Sequence, residues 1–400
     1  MRLLVCDLLY TVKTAARGTL YKEKAKSTEA TAVGNSVTMK GWILLLMLAR
    51  LVDFSMTQPT NSLTWLSYLR NRAYSHGYGR SHYNNHASLR AEDEPPVLDC
   101  PLECDCPPSY PTAMYCNNRK LQHVPFVPSH IKYVYLQNNQ ITGITNGVFD
   151  NAPNLAWISL HTNKLSSDKI SDKVFTKLPN LERLFLHNNN LSRVPQGLPR
   201  SLRDLHLNHN NISKVPVESF RGMSNLTALH LQVNSIEDLG NALEGLLSLT
   251  LLDLRGNRLK KIPESLPPKL SQLYLEYNHI SSVPADFLSQ RPELRFVRLS
   301  HNQLTSGGIP ASAFNVSTLV ELDLSFNKLE RIPIISTSLE NLYLQANKIK
   351  EFSVSSFCRV VDTNNYSNLR VLRLEANEIR AQDIPTEAVL CLRLATNIDL

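Results

Sequence analysis

Glycine is scarce in this chain, with 14 in 400 residues. That excludes collagen-like, elastic and glycine-loop-rich architectures, which need the residue at short intervals. Long apolar runs are missing as well. The longest, Trp42–Ala49, has eight residues, far short of the roughly 20 that span a bilayer. No nucleophile elbow, phosphate-binding loop or H-E-x-x-H helix occurs, and no paired carboxylates recur at a spacing suited to acid–base work. Neither an enzyme nor a bound cofactor is expected. One sign of charge does prevail, at +7, which by itself would admit nucleic acid or an acidic polysaccharide. Eight of the basic and four of the acidic residues precede Thr57, however, so the remainder carries only +3. Nucleic acid is set aside as a partner.

What is present begins with a leader. Met39-Lys40 followed by Trp42–Val52 fits a secretory signal over residues 39–57, with cleavage near Ser55–Thr57. Residues 1–38 lie upstream of it and are expected to be absent from, or removed with, that leader. Residues 58–99 are polar and without period, and read as a flexible arm. Of seven cysteines, Cys6 would leave with the leader. The remaining six form an even set suited to an oxidising compartment.

The rest of the chain repeats itself. Eleven segments follow the pattern L-x-x-L-x-L-x-x-N-x-L, starting at Ile131, Leu155, Leu181, Leu202, Leu226, Leu249, Leu270, Leu294, Leu319, Leu339 and Leu369. Each keeps its asparagine, from Asn139 to Asn377. Alternation along a strand sends the fourth and sixth residues inward and the third and fifth to the opposite face. Asparagine both donates and accepts, so a stacked column of them can satisfy the backbone freed where each strand turns away. No repeat buries its leucines alone; its neighbours do so. This is a leucine-rich-repeat solenoid. Two longer intervals and one shorter recur, and the short units share a proline-bearing outer turn such as Val194–Pro199. Long units carry Phe149, Phe175, Phe220, Leu243, Phe287 or Phe314 before the next strand, as plugs for a wider core.

An open solenoid must cover its ends. Cys100, Cys104, Cys106 and Cys116 sit directly before the first repeat, with Cys116 in a strand leucine position. Zinc is the competing reading of four close cysteines; the secretory context and the lack of a C-x2-C knuckle disfavour it. Spacing alone leaves fifteen pairings of the six cysteines open. Cys358 and Cys391 flank the 30-residue last interval, and a bridge there would be worth roughly 3–4 kcal/mol.

The cysteine spacing, the long-long-short rhythm and the extended penultimate unit over residues 100–400 resemble the small leucine-rich repeat proteoglycans of the keratan-sulfate-bearing class. The fold implied is an α/β-type solenoid, predominantly β: a curved leucine-rich-repeat horseshoe with disulfide caps at both ends. Its parts would be a cap over 100–130, repeats over 131–357, and an ear repeat with the C-terminal cap over 358–400. By this resemblance the bridges are Cys100–Cys106, Cys104–Cys116 and Cys358–Cys391. It also implies N-linked chains extendable to keratan sulfate at Asn190, Asn225, Asn315 and Asn365. Asn211 is a fifth sequon, additional to that set. A few sulfated chains would reverse the residual positive charge.

The third and fifth strand positions are rich in aromatics (Tyr133, Tyr135, Trp157, Phe185, Tyr274, Phe296, Tyr343), and such a row means a partner, be it a ligand or a second copy in a homodimer. Six histidines, His161, His187, His206, His209, His230 and His301, project from the same ladder. No metal site is expected from them, because no carboxylate or cysteine set completes one. The resemblance implies that late repeats bind fibrillar collagen of type I or II and restrain fibril growth. Arg370, Arg373, Glu375, Glu378 and Arg380 place mixed charge on one strand and its turn, suited to the charged stripes of collagen. Growth factors of the transforming-growth-factor-beta type are the other partner the family allows. The arm departs from the family pattern: Arg70, Arg72, Arg80, His76, His82 and His86 surround Tyr68, Tyr74, Tyr78 and Tyr83, where the family has acidic neighbours. Tyrosine sulfation is therefore not expected there.

Overall fold

The computed structural model describes residues 100–400; the upstream extension, the signal segment and the arm lie outside the described residues. Thirteen strands of three residues each pair in parallel and in chain order. They are β1 (Ala113–Tyr115), β2 (Tyr133–Tyr135), β3 (Trp157–Ser159), β4 (Arg183–Phe185), β5 (Asp204–His206), β6 (Ala228–His230) and β7 (Leu251–Asp253). Then come β8 (Gln272–Tyr274), β9 (Phe296–Arg298), β10 (Glu321–Asp323), β11 (Asn341–Tyr343), β12 (Val371–Arg373) and β13 (Asn397–Asp399). Among the described residues helix is confined to 3-10 turns and one short segment, α1 (Ala388–Cys391). Among the described residues no helix is long and apolar enough to cross a membrane.

The leucine pattern explains the core. In the repeat of β4, Leu181, Leu184, Leu186 and Leu191 have no exposed surface. Burying one such side chain contributes about 1.5–3 kcal/mol. Unslipped register stacks like on like, as in Leu205 beside Leu229 and Leu229 beside Leu252. In the long units Phe149, Phe175, Phe220 and Phe314 are fully buried, and the rings of Phe149 and Phe175 stack at 6.3 Å. These rings fill the extra width that longer turns create.

The asparagines join neighbouring repeats through backbone rather than through one another. Asn189 Nδ2 donates to the carbonyls of Leu160 at 3.1 Å and Leu186 at 3.0 Å, and its Oδ1 accepts from the Leu165 amide at 2.9 Å. The same set recurs from Asn139, which bonds the Cys116 carbonyl, to Asn377, which bonds those of Leu344 and Leu374. Before each ladder asparagine the chain passes through the left-handed region. The residue there is glycine once, Gly256, and elsewhere includes β-branched Thr162 and Val233, both at φ 55°. Such residues are strained in that conformation, so the asparagine bonds hold the turn against local preference.

Both ends are covered. Cys100–Cys106 and Cys104–Cys116 are bridged, Met114 and Cys116 are buried, and Asp105 pairs antiparallel with Tyr115. Cap strand β1 thereby continues the sheet one strand before the first repeat. At the other end Cys358 is bridged to Cys391 on α1, whose carbonyl accepts from the Ser367 amide at 2.8 Å. The Arg393 guanidinium lies 3.5 Å from the Tyr366 ring centre and donates to the Thr363 carbonyl. Strand β13 is beyond the eleven repeats legible in sequence: Ile398 stands beside Leu372, but at 42% exposure it is covered on one side only.

Candidate functional site

Parallel register turns the third and fifth residues of each repeat, with those just past the strand, into one continuous face. Its chemistry changes along the sheet. From β1 to β6 the face is a chain of rings. Tyr115 stacks on Tyr135 at 4.9 Å, Trp157 on Phe185 at 5.1 Å, Phe185 meets His206 at 4.6 Å, and His206 stacks on His230 at 4.1 Å. A second file, just past the strands, stacks His161 on His187 at 4.3 Å. Arg183 caps Trp157 from 5.1 Å.

From β7 onward the face is a lattice of opposite charges. Arg255 forks onto Asp253, with Nη2 2.8 Å from Oδ2. Arg298 Nε donates to Glu321 Oε1 at 2.8 Å. Tyr274 lies between the two guanidiniums, 5.7 Å from Arg255 and 5.2 Å from Arg298. On β12 Arg373 pairs with Glu375 and, at 3.1 Å, with Asp399 of β13.

The five proposed collagen residues occupy more than one surface. Arg373 and Glu375 belong to the strand-face lattice. Arg370, just before β12, pairs at 3.7 Å with Glu340, and Glu378, past the turn, lies 4.0 Å from Lys350. Arg380 is exposed and leads into the 3-10 turn Ala381–Asp383. The structure thus gives this group two edges and a face rather than a single stripe. All five sequon asparagines are exposed. Asn190 and Asn211 directly follow ladder asparagines of successive repeats, whereas Asn225 and Asn315 precede strands. The Asn365 amide is held by Asp362 at 2.7 Å, in the segment between β11 and β12.

Burial sets the protonation of both halves. Desolvation lowers His161 to about 4, His187 to about 3 and His230 to about 4, with the neighbouring imidazoles adding to it. These rings are neutral at pH 7. Glu276, 6% exposed and with no partner for Oε2, is pushed up to about 8 by burial, although Arg255 and Arg298 pull the other way. Its folded value exceeds the unfolded one, so its contribution is complete below pH 4.5 and is lost as pH rises toward 8. Glu276→Gln is expected to raise unfolding stability by about 1–3 kcal/mol at pH 8 and little at pH 4.5. Guanidinium midpoints at the two pH values check this; a gap that does not widen with pH contradicts it.

One sequence expectation needs correction. The histidine row does acquire a carboxylate: Asp204, on β5, lies 2.9 Å from His206 and 3.9 Å from His230. Asp204 is the third residue of its repeat, a position read only for aromatics. Reading the same column for charge would have found Asp204, Glu321 and, in the fifth column, Asp253 and Arg298.

A sheet of short parallel strands joined by an asparagine ladder, closed by cysteine bridges at both ends, defines an extracellular-type leucine-rich-repeat protein. Models of the leucine-rich repeat match residues 129–191 and 200–259, and a leucine-rich repeat N-terminal domain matches 99–128. Bovine (Bos taurus) fibromodulin is 51% identical over 90% of this chain and all of its own, and chicken (Gallus gallus) lumican 48% identical over 76% of this chain and 90% of its own. A solved complex of Latrophilin 3, Unc5D and the leucine-rich-repeat part of FLRT2 contains a chain with TM-score 0.59 and 26% identity, covering 75% of this chain and 83% of that one. The chain belongs to the fibromodulin family of small leucine-rich repeat proteoglycans. It is a structural, non-catalytic member of that class.

Proposed function

We propose that the protein is secreted into the extracellular matrix, binds fibrillar collagen through its repeat surface and regulates fibril assembly. The observation that carries this reading is the charge lattice from β7 to β13, where guanidiniums and carboxylates alternate along one face. Collagen presents charged side chains of both signs in stripes along a rod, and a mixed lattice is complementary to them where a single-sign patch is not. Three disulfides among the six cysteines from Cys100 onward support an oxidising compartment. Solid-phase binding to collagen I tests the placement. Arg298→Gln and Arg373→Gln on the lattice, and Glu378→Gln and Arg380→Gln past its last turn, are expected to weaken binding, and unaltered affinity in all four would remove the late repeats from the contact.

The exposed asparagines support N-linked chains at Asn190, Asn225, Asn315 and Asn365, with Asn211 as a further acceptor. Extension of those chains to keratan sulfate belongs to the same proposal. Intact mass is expected to fall on N-glycanase treatment by at least three chains; a mass that barely changes contradicts it. A second reading, a soluble trap for growth factors of the transforming-growth-factor-beta type, is favoured by the ring-lined face from β1 to β6, which suits an apolar protein ligand. The same rings would also accept a second copy of the chain, a homodimer that light scattering would register as a doubled mass.

A further inference from the structure

Neither the asparagine ladder nor the charge lattice accounts for the cluster on β5 and β6. Register places His206 beside His230, and Asp204 two residues before His206 on the same face. Asp204's register partner on β6 is Ala228, whose methyl group leaves the space on that side uncrowded, and on β4 it is Arg183. One ligand atom from each of Asp204, His206 and His230 lies within 4.8 Å of the other two. The 2.9 Å approach of His206 Nε2 to Asp204 Oδ1 is outside hydrogen-bond alignment, so that oxygen is buried without a hydrogen-bond partner. Buried acceptors are nearly always satisfied. An unsatisfied carboxylate oxygen pointing between two imidazole nitrogens is the arrangement that a cation completes.

We propose that Asp204, His206 and His230 form a zinc site on the strand face. Two imidazoles and one carboxylate match the donor preference of zinc and not the all-oxygen shells of calcium or magnesium. Donors at zinc bond lengths of about 2.0–2.2 Å stand roughly 3.3 Å apart in a tetrahedron. The separations of 2.9 Å and 3.9 Å bracket that value, and turning the two stacked imidazoles out of their 17° alignment would aim both Nε2 atoms at one ion beside the carboxylate. The side chains of Asp204, His206 and His230 are 25%, 22% and 19% exposed, so the ion reaches them from solvent and water takes the fourth position. The site lies where the ring-lined and charged halves of the face meet, and a bound ion there offers an electrophilic point to a partner carboxylate.

The test is equilibrium dialysis of the full secreted chain against zinc chloride with calcium and magnesium in excess. Arm residues His76, His82 and His86 are changed to Gln in a parallel chain, because that histidine-rich stretch could hold zinc on its own. One zinc per chain is expected to persist in the arm-substituted protein. Affinity is expected to drop about tenfold or more with each of His206→Gln, His230→Gln and Asp204→Asn. Zinc is further expected to raise the thermal midpoint of the parent and not of the three variants, whose zinc-free midpoints report whether they fold. Unchanged affinity in all folded variants, or loss of the zinc with the arm histidines alone, overturns the assignment.

Discussion

Asn278→Leu is expected to destabilise the protein by about 3–5 kcal/mol, although the substituted side chain is similar in size and equally buried. Asn278 Oδ1 accepts from the Leu259 amide at 3.0 Å, and its Nδ2 donates at 3.0 Å to both Leu254 and Leu275. The two carbonyls keep a second donor, from Asn257 and Asn302 respectively. The Leu259 amide has no such reserve. Leucine therefore strands one buried donor outright and weakens two acceptors, at a turn whose preceding residue, Tyr277, is held at φ 55°. An equilibrium denaturation midpoint measures the loss. A cost within about 1 kcal/mol, the scale of one average hydrogen bond, would mean that leucine packing alone sets the spacing of the repeats.

Acid is expected to weaken the molecule through its histidines. His161, His187 and His230 are held near 4, 3 and 4 by burial, below the roughly 6.5 of an unfolded chain. Protons then bind the unfolded state first, and stability falls as pH drops from about 6.5 toward 4. Each imidazole contributes about 1–2 kcal/mol of that loss by pH 5 after allowance for its partial exposure. Neighbouring imidazoles reinforce the direction at all three rings. At His230 Arg255 adds to it, whereas the carboxylates of Asp204 and Asp253 oppose it. The triple variant His161→Gln, His187→Gln, His230→Gln is expected to lose markedly less stability than the parent between pH 7 and pH 5. Parallel pH profiles for the two proteins would contradict the assignment of neutral rings.

The repeats were legible because two constraints recur at every turn: apolar side chains must meet their counterparts next door, and freed backbone groups must find a partner. Leu184 and Asn189 answer those constraints by position alone. Strand β13 escaped because Ala395 stands where a repeat would begin with leucine, leaving Ile398 and Leu400 as the only remnants of the pattern. The site was legible by halves. Aromatic residues declare a ring-lined face through their types, since Tyr135, Trp157 and Phe185 would not otherwise be placed outward. Asp204 beside His230 is different. Their 26-residue separation in sequence carries meaning only once the register between β5 and β6 is fixed, and interval lengths that vary from repeat to repeat hide it. Glu276 was hidden for the same reason. Its burial comes from neighbours on the adjoining strands, not from residues beside it in the chain.

On the proposed reading the charge lattice meets collagen as a charged rod, and fibril assembly tests that contact directly. Turbidity of collagen I during fibril formation, with and without the purified protein, is the measurement. A changed lag, a changed growth rate or thinner fibrils is the predicted result, diminished by Arg298→Gln and Arg373→Gln on the lattice. Identical lag, rate and fibril diameter in the two samples would contradict a role in fibril assembly and leave the growth-factor trap as the better reading.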